Sequence, residues 1–212
     1  MAELLGDIGN DPVDMLLETN GGQTDPTEAL VTLIQNVVPD FRVIVANAAK
    51  SNGTLLGLAA NAIVMGATSE LGPVEPFVNG IPCTILIKPE MAKQNFVLHQ
   101  AGVYGLNQSK ALAQKLLSAG MMKGRSPNDI QTAVQKLASR DVYFSHGAVI
   151  SHQEAAALGL QIEYLPPDSE LWQRIWLLYC MYDHDCRKAR YLKVFEGRAR
   201  STAVAAPPVA KS

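Results

Sequence analysis

The residues with the clearest chemical potential stand in two glycine-bearing turns. Lys50-Ser51-Asn52-Gly53 puts a serine hydroxyl ahead of Thr54 to Ala60, a run of small and apolar residues that suits a helix packed closely on a sheet. Upstream, Gly21-Gly22 closes the apolar run Val13 to Glu18, and glycine there lets the backbone turn its N–H groups outward because it tolerates positive φ. A hydroxyl at a helix start beside outward N–H groups has the parts of a nucleophile and an oxyanion hole, the arrangement that attacks a carbonyl. On spacing alone the same residues also make two ordinary turns.

What distinguishes the two readings is the company these turns keep. Glu18-Thr19-Asn20-Gly21-Gly22 looks like a strand-end His-Thr-Pro-Gly-Gly, and Lys50-Ser51-Asn52-Gly53-Thr54-Leu55 looks like a Met-Ser-Ala/Gly-Gly-Thr-Leu nucleophile turn. Ala59 to Met65 resembles Ala-Ala-Asp-Glu-Ile-Val-Met, and Leu71-Gly72-Pro73-Val74-Glu75-Pro76 resembles Leu-Gly-Pro-Val-Asp-Pro. Ser145-His146-Gly147-Ala148-Val149-Ile150-Ser151, with Glu154-Ala155 and Leu158-Gly159-Leu160, is similar to Thr-His-Asp-Tyr-Pro-Ile-Thr, Glu-Ala and Leu-Gly-Leu. In this order the blocks resemble the serine dehydrogenase proteinase family, a branch of the Clp-protease/crotonase superfamily related to signal peptide peptidase A. The likeness runs from about Pro12 to Pro166.

The resemblance implies a serine peptidase. Ser51 would attack the carbonyl, the N–H groups of Gly22 and Asn52 would hold the oxyanion, and Gly21 and Gly53 would shape the substrate-binding turns. A serine hydroxyl needs a base, and His146 occupies the family's histidine position; an imidazole titrates near neutral pH and suits both halves of the proton transfer. Glu75 would orient that imidazole or line the cleft. Lys50 offers a serine-lysine alternative, but adjacent residues on a turn usually point apart, so it reads as a solvated or substrate-facing charge. His152 reads as an exposed first-turn side chain of a capping box, and His99 as part of a helix face.

Cys180, His184 and Cys186 with Asp183 invite a zinc site, but Cys180 and Cys186 do not share a helix face and no Cys-x-x-Cys is present. No metal and no cofactor is expected. The chain departs from the family pattern at Lys50, at Asn52, whose side chain would crowd the oxyanion site or add a donor, and at Glu75, where the family has aspartate. Before Val13 there is room for little more than a turn, which reads as a shortened form.

Several elements must hold these residues. A strand from Val13 precedes a helix opened by Asp25-Pro26-Thr27-Glu28, whose Leu30, Leu33, Ile34, Val37 and Val38 recur at helical spacing until Pro39-Asp40. Val43 to Ala46 and Ile63 to Met65 read as strands buried on both faces. This alternation predicts an α/β layered fold of the Clp-protease/crotonase type. A long helix from Lys93 to about Met122 and another from Ser126 through Leu137 form a hairpin over the core. Ser151 to Glu154 is a capping box, with the helix stopped by Gly159.

The expected domain plan is a peptidase domain over 1–165, a C-terminal helical extension over 166–202 and a disordered tail over 203–212. One helix is expected from Asp168 to Phe195, with Leu171, Trp172, Ile175, Trp176, Leu178 and Tyr179 in an apolar stripe that packs on its own core or on a neighbouring subunit. Composition narrows the partners. With 48% apolar and 18% charged residues the chain is globular, and a net charge of −2 leaves no large basic surface for nucleic acid. No apolar run spans a bilayer and the N-terminus lacks a secretory pattern, so a cytoplasmic protein with reduced thiols is expected. The implied partners are a peptide or unfolded protein substrate and further copies of the chain in a homo-oligomer. The alternative is a crotonase-like acyl-binding or scaffold member that keeps the fold without proteolysis.

Overall fold

Runs that are apolar on both faces form the middle of the structure, a computed structural model that describes residues 2–6, 11–38 and 40–207. Helix α1 (Ala2–Leu5) precedes β1 (Val13–Leu16), α2 (Thr24–Val37), β2 (Phe41–Val45), β3 (Ala48–Ala49), α3 (Asn52–Leu58), β4 (Ala62–Met65) and β5 (Glu70–Leu71). Next come β6 (Phe77–Val78), β7 (Ile81–Pro82), α4 (Cys83–Leu86), α5 (Pro89–Gln94), α6 (Phe96–Ala119), α7 (Pro127–Leu137) and α8 (Arg140–Tyr143). The chain closes with α9 (His152–Ala157), β8 (Ile162–Tyr164), α10 (Glu170–Ala189), β9 (Tyr191–Glu196) and β10 (Ser201–Ala205).

The main sheet has the order β1-β2-β4-β8 and is parallel throughout. β2 and β4 are its inner strands, and side chains on successive residues serve opposite faces. Val43, Val45, Ile63 and Met65 join one core with Val31 and Ile34 of α2, Leu55 and Leu58 of α3, and Leu116 and Leu117 of α6. Ile44, Ala46 and Val64 point the other way, onto Trp172 and Ile175 of α10. The layered α/β architecture is as the sequence predicts. The buried side of α10 therefore packs on its own sheet: a methyl group on Gly66 would collide with the Trp172 ring, so only glycine leaves the indole its seat. Among the described residues, no helix is long and apolar enough to cross a membrane.

Several sequence expectations need correction. α2 starts from Gln23 with no side-chain cap, and Asp25, expected to cap it, lies in the first turn and accepts from Gln108 Nε2. The long helix expected from Lys93 is two, because Asn95 turns to an extended backbone and its side chain caps α6 by accepting from Leu98 N–H at 2.9 Å. The final helix stops at Ala189, where Arg190 takes the left-handed conformation with φ 57°. Beyond it, Tyr191–Glu196 pairs antiparallel with Ser201–Ala205, so strand replaces both the end of the expected helix and the start of the expected disordered tail. The period-2 alternation of Tyr191-Leu192-Lys193-Val194-Phe195-Glu196 is the signal for this hairpin. The helix stop at Pro39 and the tail beyond residue 207 lie outside the described residues.

Candidate active site

Ser51 stands between β3 and α3 with φ 54° and ψ −118°, a left-handed φ that non-glycine residues seldom adopt. Such a conformation costs about 1–3 kcal/mol and persists only where the surroundings impose it. The surroundings are specific. Gly21, at φ +100°, backs directly onto the serine: a methyl group there would lie 2.8 Å from both the Lys50 carbonyl oxygen and Ser51 Cβ. Gly53 leaves room for the Thr19 methyl. Ser51 itself is buried and makes no capping bond to its helix.

The two turns are stitched together by hydrogen bonds. Gly21 N–H donates to Thr19 Oγ1 at 3.0 Å, Lys50 N–H to the Thr19 carbonyl at 2.9 Å, and Gly53 N–H to the Lys50 carbonyl at 2.8 Å. Asn52 Nδ2 donates to the Gly22 carbonyl at 2.5 Å, so the asparagine clamps the glycine turn. Among the described residues these bonds leave the N–H groups of Gly22 and Asn52 unused. A methyl group on Gly22 would meet no atom within 4 Å. The arrangement has two free donors beside an exposed approach and a strained hydroxyl.

Thr54 and Thr19 are supporting residues that the sequence reading missed. Thr54 is fully buried; its Oγ1 lies 2.8 Å from the Ala49 carbonyl and 2.7 Å from that of Gly72, and accepts the Gly72 N–H at 3.0 Å. This hydroxyl joins the nucleophile turn to the Gly-Pro-Val-Glu loop. A buried hydroxyl between backbone groups has no signature in composition, and only its place in the Ser-Asn-Gly-Thr block marks it.

Lys50 is not the solvated or substrate-facing charge expected. Its side chain is 14% exposed, and its Nζ donates to the Leu71 carbonyl at 3.2 Å, the Ala148 carbonyl at 3.2 Å and Glu70 Oε2 at 2.6 Å. The stem runs over Gly72, where a methyl group would lie 2.8 Å from Lys50 Cδ.

The structure places His146 in the loop between α8 and Ile150, edge-on to Phe77 with ring centroids 4.5 Å apart. Its Nδ1 is buried without a hydrogen-bond partner. Burial pushes the imidazole below its ordinary pKa of 6.5, opposed by the charge of Glu75 and reinforced by that of Arg140. Glu75 is 1% exposed, and its carboxylate is taken by Arg140 Nε, at 3.1 and 2.9 Å, and by the Thr84 hydroxyl. Burial and the Glu75 charge together push the neighbouring Cys83 thiol up to about 11. Ser51, Gly21, Gly22, Asn52 and Gly53 are thus brought together, whereas His146 and Glu75 form a second cluster with Arg140. His99 Nδ1 meets the Leu86 carbonyl at 2.8 Å, and His152 is half-buried against Tyr164 rather than exposed, with ring centroids 4.2 Å apart. The Ser151 capping box is present. Among the described residues no three His, Cys, Asp or Glu side chains group to hold a metal.

A parallel sheet under covering helices, with a strained serine facing a glycine turn, defines a Clp-like serine-hydrolase scaffold. The chain belongs to the ClpP-like SDH-type serine proteinase family, whose profile matches residues 7–192. An uncharacterized protein of Methanocaldococcus jannaschii is 26% identical over 186 residues, covering 84% of this chain and 60% of its own length. A second uncharacterized protein of that organism is 26% identical over 103 residues, 49% of this chain and 35% of its own. The chain therefore spans less than two thirds of these relatives. Among solved structures, a mutant of the 1510-N membrane-bound stomatin-specific protease in complex with a substrate peptide aligns with 92% of this chain and 73% of its own, at 16% identity and a TM-score of 0.46.

Proposed function

We propose that the chain is a serine peptidase acting on peptides or unfolded segments through an acyl-enzyme at Ser51. The observation that carries this reading is the strained Ser51 backbone packed against Gly21, with the Gly22 and Asn52 N–H groups left for an oxyanion. Ser51 Oγ attacks the carbonyl carbon, its proton passes to His146, and the imidazolium returns it to the leaving amine; water then repeats the sequence on the ester. His146 starts as the neutral imidazole this role needs, because burial disfavours its charge. Further copies of the chain assemble on the outer face of α10, where Leu171, Leu178 and Met181 are exposed.

The test is release of fragments from a dye-labelled, chemically unfolded protein. Wild type releases them and Ser51→Ala does not; equal release by both overturns the assignment. One observation favours the second reading, an acyl-binding member without turnover: the Glu75 carboxylate is engaged by Arg140 and Thr84 rather than aimed at His146. That reading predicts no release from either protein.

A further inference from the structure

Lys50 precedes the serine, yet its side chain leaves the nucleophile turn altogether. An ammonium has three N–H donors. Here each finds an acceptor: the Leu71 carbonyl, the Ala148 carbonyl and the Glu70 carboxylate. These belong to β5, which leads into the Gly72 loop, and to the loop that carries His146. Each loop is also fixed elsewhere, the first by Thr54 at Gly72 and the second by the paired bonds between Leu71 and Ile150. Between His146 and Ile150, Lys50 reaches in from the nucleophile turn to the Ala148 carbonyl, two residues from the imidazole.

We infer that Lys50 is the positioning residue of the Ser51 site: its ammonium pins the His146 loop and the start of the Gly72 loop to the nucleophile turn, and so holds the loop of the imidazole in place relative to the serine. The inference rests on the peptidase reading. The reach follows from chain geometry. With Ala148 pinned, two residues of chain allow the His146 Cα an arc of about 7 Å around the pin. Without the pin, the loop keeps its local bonds from Gly147 and Ala148 N–H to Ser145 and the contact of His146 with Phe77, but loses its side-chain tie to the nucleophile turn, and the imidazole samples a larger volume of which less is productive. All three Lys50 donors are occupied by acceptors outside the nucleophile turn, so its part is to hold the loops.

An apolar stem would fill the same channel over Gly72 but hold nothing. Lys50→Met makes that change at nearly constant length, and Glu70→Gln, at the more open end of the site, keeps an acceptor for the ammonium but removes its counter-charge, weakening one arm. The experiment measures fluorophosphonate labelling of the folded full chain against probe concentration, together with backbone hydrogen exchange over residues 144–150. In Lys50→Met the maximal labelling rate falls at least tenfold, the half-saturating probe concentration stays within twofold, and exchange in 144–150 quickens at least tenfold. Glu70→Gln moves the same two quantities in the same direction by a smaller factor. Labelling at the wild-type maximal rate in both variants overturns the positioning role, whether or not exchange changes, and so does a labelling loss with unchanged exchange. A wild-type chain that does not label at all overturns the peptidase reading instead, and the role of Lys50 with it.

Discussion

Ser51 and Lys50 are neighbours in sequence and opposites in environment: the hydroxyl makes no capping bond, while the ammonium is held from three sides. In the proposed mechanism the proton of Ser51 passes to His146. Its imidazole is held neutral by burial, below the ordinary 6.5. Protonation disables it as a base, so the acid limb of Ser51 labelling falls at a pH below 6.5. The fold follows the same sign: as pH drops through 6.5 the unfolded imidazole takes its proton first, and this contribution to stability is gone once pH passes below the folded value. His146→Gln removes that acid limb and lowers the labelling rate by about a hundredfold or more, the usual scale for losing a general base. A limb left in place in His146→Gln assigns the base to another group. The Ser51 turn and its glycines were legible in sequence because glycine and a strained turn leave a local pattern. The burial of Lys50 was not, since its acceptors are two backbone carbonyls and a carboxylate from segments up to 98 residues away.

At the scale of elements, the sheet faces were written in the alternation of β2 and β4, and α10 was legible as an apolar stripe. Which residues of that stripe face inward is decided by Gly66, whose missing side chain admits Trp172. Trp172→Ala opens a cavity there and costs about 3–5 kcal/mol of stability in a denaturant titration. Because α10 covers the face of the sheet away from Ser51, labelling of the variant well below its melting temperature stays within about twofold of wild type. A variant as stable as wild type would mean that α10 does not cover the sheet. The break at Asn95 and the hairpin after Arg190 were missed for one reason. Each turns on a single residue whose backbone changes while the surrounding composition still reads as helix. Asn95 supplies its own cap, and Arg190 adopts a left-handed φ without being glycine.

For the whole molecule, the outer face of α10 is the apolar surface open to a second copy of the chain. Leu171 and Met181 are 55% and 57% exposed, and Leu177 and Leu178 lie close by on the same helix, an apolar surface of the kind at which chains associate. Glu170–Arg174 and Asp183–Arg187 pairs flank this surface at helical spacing. Assembly through it predicts that Leu178→Glu with Met181→Glu lowers the mass measured by sedimentation or light scattering at micromolar concentration, while labelling of Ser51 persists. Unchanged mass would place assembly on another face. Sequence pattern marked this face as needing a partner but could not divide the stripe between its own core and a neighbour, because the division depends on where the sheet ends.

The proposed acyl-enzyme requires one covalent bond, at Ser51 Oγ. After reaction with a fluorophosphonate probe, intact-protein mass spectrometry followed by peptide mapping is predicted to find one adduct per chain, on the peptide containing Ser51, and none in Ser51→Ala. An adduct on any other residue, or equal modification of both proteins, would contradict it.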